Sequence, residues 1–136
     1  MHNASWQAGY CPFCAAWPVL AEVWGEERRL WLRCGRCGTG WRFRHQLCQF
    51  CGNEDHKSLG YLAPADEPLA ERVLTCDRFH GYLKSFHSLS PVSPSEVVVR
   101  DLTGVLLDLA AIERGYGRPE RPGFSLRLAV RASPAK

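Results

Sequence analysis

The sequence predicts a small β-rich metalloprotein, with two zinc-ribbon knuckle modules followed by a C-terminal α-helix. Three observations point there. Three C-x-x-C pairs, Cys11/Cys14, Cys34/Cys37 and Cys48/Cys51, plus a single Cys76 account for all seven cysteines. Short strand-like patterns lie between the pairs, and an amphipathic segment follows a proline- and serine-rich stretch. At 136 residues the chain suffices for one ordinary domain, or two very small ones supported by more than their cores. We divide it into a first module over 6–45, a second over 46–90, and a linker, helix and tail over 91–136.

Bulk composition removes several classes. An apolar fraction of 46% and a charged fraction of 23% belong to a globular chain, not a disordered one. No apolar run approaches the roughly 20 residues that cross a bilayer, so no membrane insertion is expected. The opening MHNASWQAGY lacks a basic stretch followed by an apolar one, which predicts no signal peptide and a cytoplasmic location. In a reducing compartment, closely spaced cysteines favour metal over disulfides. A formal net charge of +3 permits an acidic partner without arguing for one.

In the first module, the two-residue spacers form tight turns that direct paired thiolates at one point, helped by Pro12, Gly35 and Gly38. Between the pairs, Val19–Trp24 and Arg28–Arg33 flank the turn Gly25-Glu26-Glu27 as a hairpin. Cys11, Cys14, Cys34 and Cys37 therefore predict a four-thiolate tetrahedral centre. A thioredoxin-type dithiol would instead open a helix after a strand.

The second module repeats the pattern with one ligand short. Gly52 follows its first pair, and the segments 59–63 and 71–75 read as strands between Cys51 and Cys76. Cys48, Cys51 and Cys76 are three ligands, and His80, at C-x-x-x-H spacing, is the leading candidate for the fourth. Water or an empty position is the alternative, with His87, His56 and His45 weaker by spacing. Two structural metals would supply folding free energy on the order of 10 kcal/mol each, which suits thin cores.

Residues 91–98 (PVSPSEVV) read as a linker, with Asp101 as N-cap of a helix of about 13 residues. Its apolar face, Leu102, Val105, Leu106, Leu109 and Ile112, is expected to pack on the modules or to dock on a partner. Gly115 suits the helix end. In the tail, 125–130 (SLRLAV) is a candidate edge strand.

The sequence also offers two rival functions. Arg28, Arg29, Arg33, Arg36, Arg42 and Arg44 interleave with Trp24, Trp31, Trp41 and Phe43, a pattern that can bind nucleic acid. Glu22, Glu26 and Glu27 on the same hairpin weigh against nucleic acid as the partner. No nucleophile elbow, phosphate loop or zinc-protease motif is present, and no enzyme is expected. A four-thiolate iron can carry one electron, so a one-electron carrier is a further alternative.

The ordered blocks CPFC, LWLRCGRCGTGWRF, CQFCGN, LGYLA, CDRFHGYLKSF and DLTGVLLDLAAIERGYGRP extend from about residue 6 to residue 124. Together they resemble the C-terminal part of the formate dehydrogenase accessory protein family, FdhE. The resemblance implies two rubredoxin-like modules, each holding a tetrahedral metal ion, Zn2+ or Fe2+/Fe3+. It implies Cys11, Cys14, Cys34, Cys37, Cys48, Cys51 and Cys76 as ligands. It also implies a cytoplasmic factor for assembly or maturation of formate dehydrogenase that binds the catalytic subunit. The family's fourth C-x-x-C would end where this chain has Phe79, and Arg100 and His45 stand where the family carries an acidic residue and an arginine. Family members are about twice as long, with a helical region ahead of the knuckles, so the chain is expected to be a fragment, a split gene product or a reduced version.

Overall fold

The computed structural model describes residues 6–66 and 70–124. The chain folds as β1 (Pro18–Trp24), β2 (Arg29–Cys34), β3 (Gly40–Arg42), β4 (Leu59–Leu62), β5 (Glu71–Cys76), β6 (Gly81–Ser88), α1 (Pro94–Thr103) and α2 (Val105–Glu113). Val, Leu and Trp give β1 and β2 their strand preference. Gly25 (φ 65°) and Arg28 (φ 53°) supply the left-handed geometry that closes their hairpin.

All six strands form one sheet in the order β3-β2-β1-β6-β5-β4. Neighbours pair antiparallel except at the centre, where β1 and β6 run parallel from Leu20/Lys84 to Trp24/Ser88. Each half repeats one chain order: cysteine turn, strand, strand, cysteine turn, strand. The halves meet only through the central parallel pair of strands in this ladder, and β1 and β6 are accordingly buried along most of their length.

Ala21, Val23, Leu30, Leu32, Trp41, Phe43 and Leu83 form the main core, and Cys11 and Cys34 belong to it. On the other face, Leu20, Phe86 and Val97 hold α1, while Val73, Tyr82 and Ala111 hold α2. The helices are also fastened by charge. Lys84, fully buried on β6, donates from Nζ to Asp101 Oδ1 (2.6 Å), Asp101 O (2.7 Å) and Asp108 Oδ2 (2.8 Å). Tyr82 donates to Asp108 Oδ1 at 2.8 Å.

The hairpin 18–34 and strands β4 and β5 agree with the sequence reading, while the helical region departs from it in three ways. The expected single helix capped by Asp101 is two helices, and Asp101 lies inside the first. The cap is Ser93, whose Oγ accepts from Glu96 N–H at 3.2 Å, with Pro94 in the first turn. The expected linker 91–98 therefore contains a helix start, for which S-x-x-E was the sequence signal. Gly104, buried beneath the join, separates the helices; its Cβ would meet the Phe86 ring at 3.1 Å. Finally, the apolar stripe does not pack on the sheet: Leu102 is 69% exposed and Leu106 75%. The tail segment 125–130 lies outside the described residues. Among those described, no helix is long and apolar enough to cross a membrane.

Candidate metal centres

Four turns of the same construction project from the sheet. In each, the N–H of the fifth residue donates to the carbonyl of the first: Ala15 to Cys11 (2.9 Å), Gly38 to Cys34 (3.1 Å), Gly52 to Cys48 (2.9 Å) and His80 to Cys76 (2.8 Å). The fifth residue is left-handed in every case, with φ of 65°, 77°, 75° and 59°. Glycine takes that conformation without strain; alanine and histidine do so because the turn imposes it.

The first two turns converge. Sγ of Cys11, Cys14, Cys34 and Cys37 all lie within 4.8 Å of one another. Cys11 approaches Cys37 at 3.6 Å, and Cys14 approaches Cys34 at 3.4 Å. A tetrahedron with metal–sulfur bonds of about 2.3 Å has sulfur–sulfur edges of about 3.8 Å, so this donor set fits one tetrahedral ion. Phe13 and Cys14 N–H groups donate to Cys11 Sγ (3.4 and 3.5 Å), and Arg36 and Cys37 N–H groups donate to Cys34 Sγ (3.4 and 3.5 Å). Such donors stabilise thiolate charge and orient the ligands.

The third and fourth turns bring Cys48, Cys51 and Cys76 within the same 4.8 Å limit, with Cys51 and Cys76 sulfurs 3.7 Å apart. Among the described residues, no imidazole nitrogen or carboxylate oxygen joins them. His80 is therefore not brought into the group, and His45, His56 and His87 are likewise outside it. The reason is positional. His80 stands where Ala15, Gly38 and Gly52 stand in the other turns, one residue past the ligand position, which Phe79 fills. Asn53, buried and not anticipated from sequence, donates from its side-chain amide to Cys76 Sγ at 3.5 Å and to Ser58 Oγ at 2.6 Å.

The thiols are not equivalent. Burial pushes Cys34 and Cys48 up to about 12, against the turn N–H groups that donate to them. Cys37 lies at about 6, because hydrogen bonds from Thr39 and neighbouring thiols outweigh its burial. Cys76 is lowered in the same way: burial is overcome by the Phe79 N–H, the Asn53 amide and the Arg78 N–H. An incoming cation must displace protons from the raised thiols.

The arginine–aromatic pattern resolves into a groove of about 920 Å³ lined by Arg29, Trp31, Trp41, Arg42 and Arg44. Trp31 stacks on Trp24 (centroids 4.3 Å apart), and Trp41 is only 5% exposed. Arg29 pairs with Glu27, and Arg44 pairs with Glu54. These rings serve packing, and two of the groove's arginines are charge-paired.

No protein-family model matches the chain. Individual proteins do. An FdhE homologue of Aquifex aeolicus is 31% identical over 121 residues, covering 85% of this chain and 41% of that protein. The FdhE protein of an Escherichia coli strain is 31% identical over 114 residues, covering 82% of this chain and 36% of that protein. The crystal structure of the FdhE protein from Pseudomonas aeruginosa superposes with a TM-score of 0.68 at 26% identity, covering 85% of this chain and 40% of that one. The chain thus spans about two fifths of the length of these relatives. In sequence and in fold, the chain resembles FdhE proteins over 82–85% of its own length.

Proposed function

We propose that this chain is a rubredoxin-like, metal-binding part of an accessory factor for formate dehydrogenase maturation, working by contact with the catalytic subunit in the cytoplasm and not by catalysis. The observation that carries this reading is its likeness to FdhE proteins over 82–85% of its length. Cys11, Cys14, Cys34 and Cys37 hold one ion, and Cys48, Cys51 and Cys76 contribute to a second. Zinc in these positions ties strands together, whereas iron also passes single electrons. The surrounding residues set the geometry: turn N–H groups and the Asn53 amide bear the thiolate charge, and Lys84 anchors both helices to β6.

A protein-binding role suits the outer helical surface. Val98, Leu102, Val105, Leu106, Leu109 and Ile112 are each at least half exposed, a density of apolar side chains that marks contact surfaces. We expect tagged protein co-expressed with a formate dehydrogenase catalytic subunit to retain that subunit on purification. The double variant Leu106→Glu/Leu109→Glu should lose it while keeping its thermal midpoint. Failure of the wild type to retain the subunit would remove this reading. Elemental analysis of protein purified without oxygen assigns zinc or iron.

A further inference from the structure

We infer that the second centre is a three-thiolate site whose remaining coordination position takes an external thiol, not a side chain of this chain. The inference rests on the metal-binding reading above and concerns this chain's own departure from a closed site.

Three observations converge. First, the fourth turn keeps the backbone of the other three: His80 N–H donates to Cys76 O at 2.8 Å, with His80 left-handed at φ 59°. The turn is thus intact, and only its second ligand has changed. The residue at that ligand position is Phe79, whose ring has no donor atom and rests by Phe50, with centroids 5.8 Å apart. Second, nothing else fills the gap. Among the described residues, the cluster consists of Cys48, Cys51 and Cys76 alone, and the exposed His80 is not among them. Third, the surroundings help to bear thiolate charge at this centre: the buried Asn53 amide donates to Cys76 Sγ at 3.5 Å.

A closed four-thiolate centre is the mark of a structural ion, while a centre with three protein ligands leaves a position for an exchangeable one. A soft thiol matches the three sulfurs in donor type. Access lies on the outer side, where Cys51 is exposed and Phe79 is 41% exposed. The first centre has four thiolates, enough to complete a tetrahedron from this chain alone.

The test uses the full chain loaded anaerobically with Co2+, whose sulfur charge-transfer absorption counts cobalt–thiolate bonds. Wild type, Phe79→Cys and His80→Ala are titrated with 2-mercaptoethanol. Wild type should bind two cobalt ions and gain charge-transfer intensity saturably, by about one part in seven, as seven cysteine thiolates are joined by one more. Phe79→Cys should begin at the higher intensity and ignore added thiol, and His80→Ala should behave as wild type. A wild-type spectrum indifferent to thiol, or one already altered by His80→Ala before thiol is added, overturns the inference. One cobalt per chain with a four-thiolate spectrum also overturns it, yet leaves the first centre standing. No bound cobalt removes the metal reading as well.

Discussion

Lys84 carries an ammonium at a position where the side chain is fully buried, against two carboxylates that remain partly solvated. An unpaired charge there would not be tolerated, so the cation is held by Asp101 and Asp108 and by one carbonyl. Lys84→Met keeps most of the stem but leaves both carboxylates without their counter-charge. We expect it to lower stability by about 3 kcal/mol, seen as an earlier midpoint in chemical denaturation. Tyr82 reports on the same network through pH. Burial, then the hydrogen bond to Asp108, pushes its phenol up to about 12, from an ordinary value of 10.0. The folded state therefore holds this proton more tightly than the unfolded chain does. Its contribution is complete below about pH 10 and is lost as pH rises through about 12. Thermal midpoints measured across that window should fall more steeply for wild type than for Tyr82→Phe; parallel curves would remove the assignment. The sequence displayed Lys84 and Asp108 without hinting at their contact, because 24 residues and a helix join separate them.

The cysteine turns are the elements most legible in the sequence, since C-x-x-C spacing and the following glycine encode the turn itself. Their hairpin, 18–34, was legible for the same local reason, with apolar runs on both sides of a glycine turn. Strand β6 was not. GYLKSFHS mixes a buried lysine with aromatics, and only its central place in the sheet explains why it is buried. His80 has ligand-like spacing to Cys76, but it takes the left-handed position that Ala15, Gly38 and Gly52 hold, one residue past the second ligand of each other turn. That shared geometry makes a paired prediction. Gly38 and Gly52 occupy equivalent positions at φ 77° and 75°, but a Cβ on Gly38 would meet Pro94 Cβ at 2.6 Å, while one on Gly52 meets nothing within 4 Å. Gly52→Ala should lower stability by about 1 kcal/mol, the strain that Ala15 already bears in the first turn. Gly38→Ala should lower it by about 3 kcal/mol, because α1 must also move. Equal losses, measured by denaturant titration of the metal-loaded proteins, would mean that the Pro94 contact carries no weight.

At the scale of the whole molecule, the parallel β1–β6 pair decides how the two halves share stability. Each half has its own cysteine cluster, yet the main core draws on both: Leu83 of β6 packs with Ala21, Val23 and Leu32, and Cys11 and Cys34 lie in the same cluster. A ligand removed from the first centre therefore disturbs packing that reaches across the sheet. We expect Cys34→Ser to destabilise β5 as well as β2, although β5 lies three strands away and belongs to the other half. Binding free energy of a structural ion is folding free energy, so loss of the first ion should bring the whole sheet close to unfolding. The measurement is amide hydrogen exchange on metal-loaded protein. Protection in β2 and β5 should fall together in Cys34→Ser, and chelation of wild type should give one transition in both strands. Were β5 to keep its protection while β2 loses it, the halves would be independent metal modules that happen to share an edge, and the buried central pair would contribute little to cooperativity.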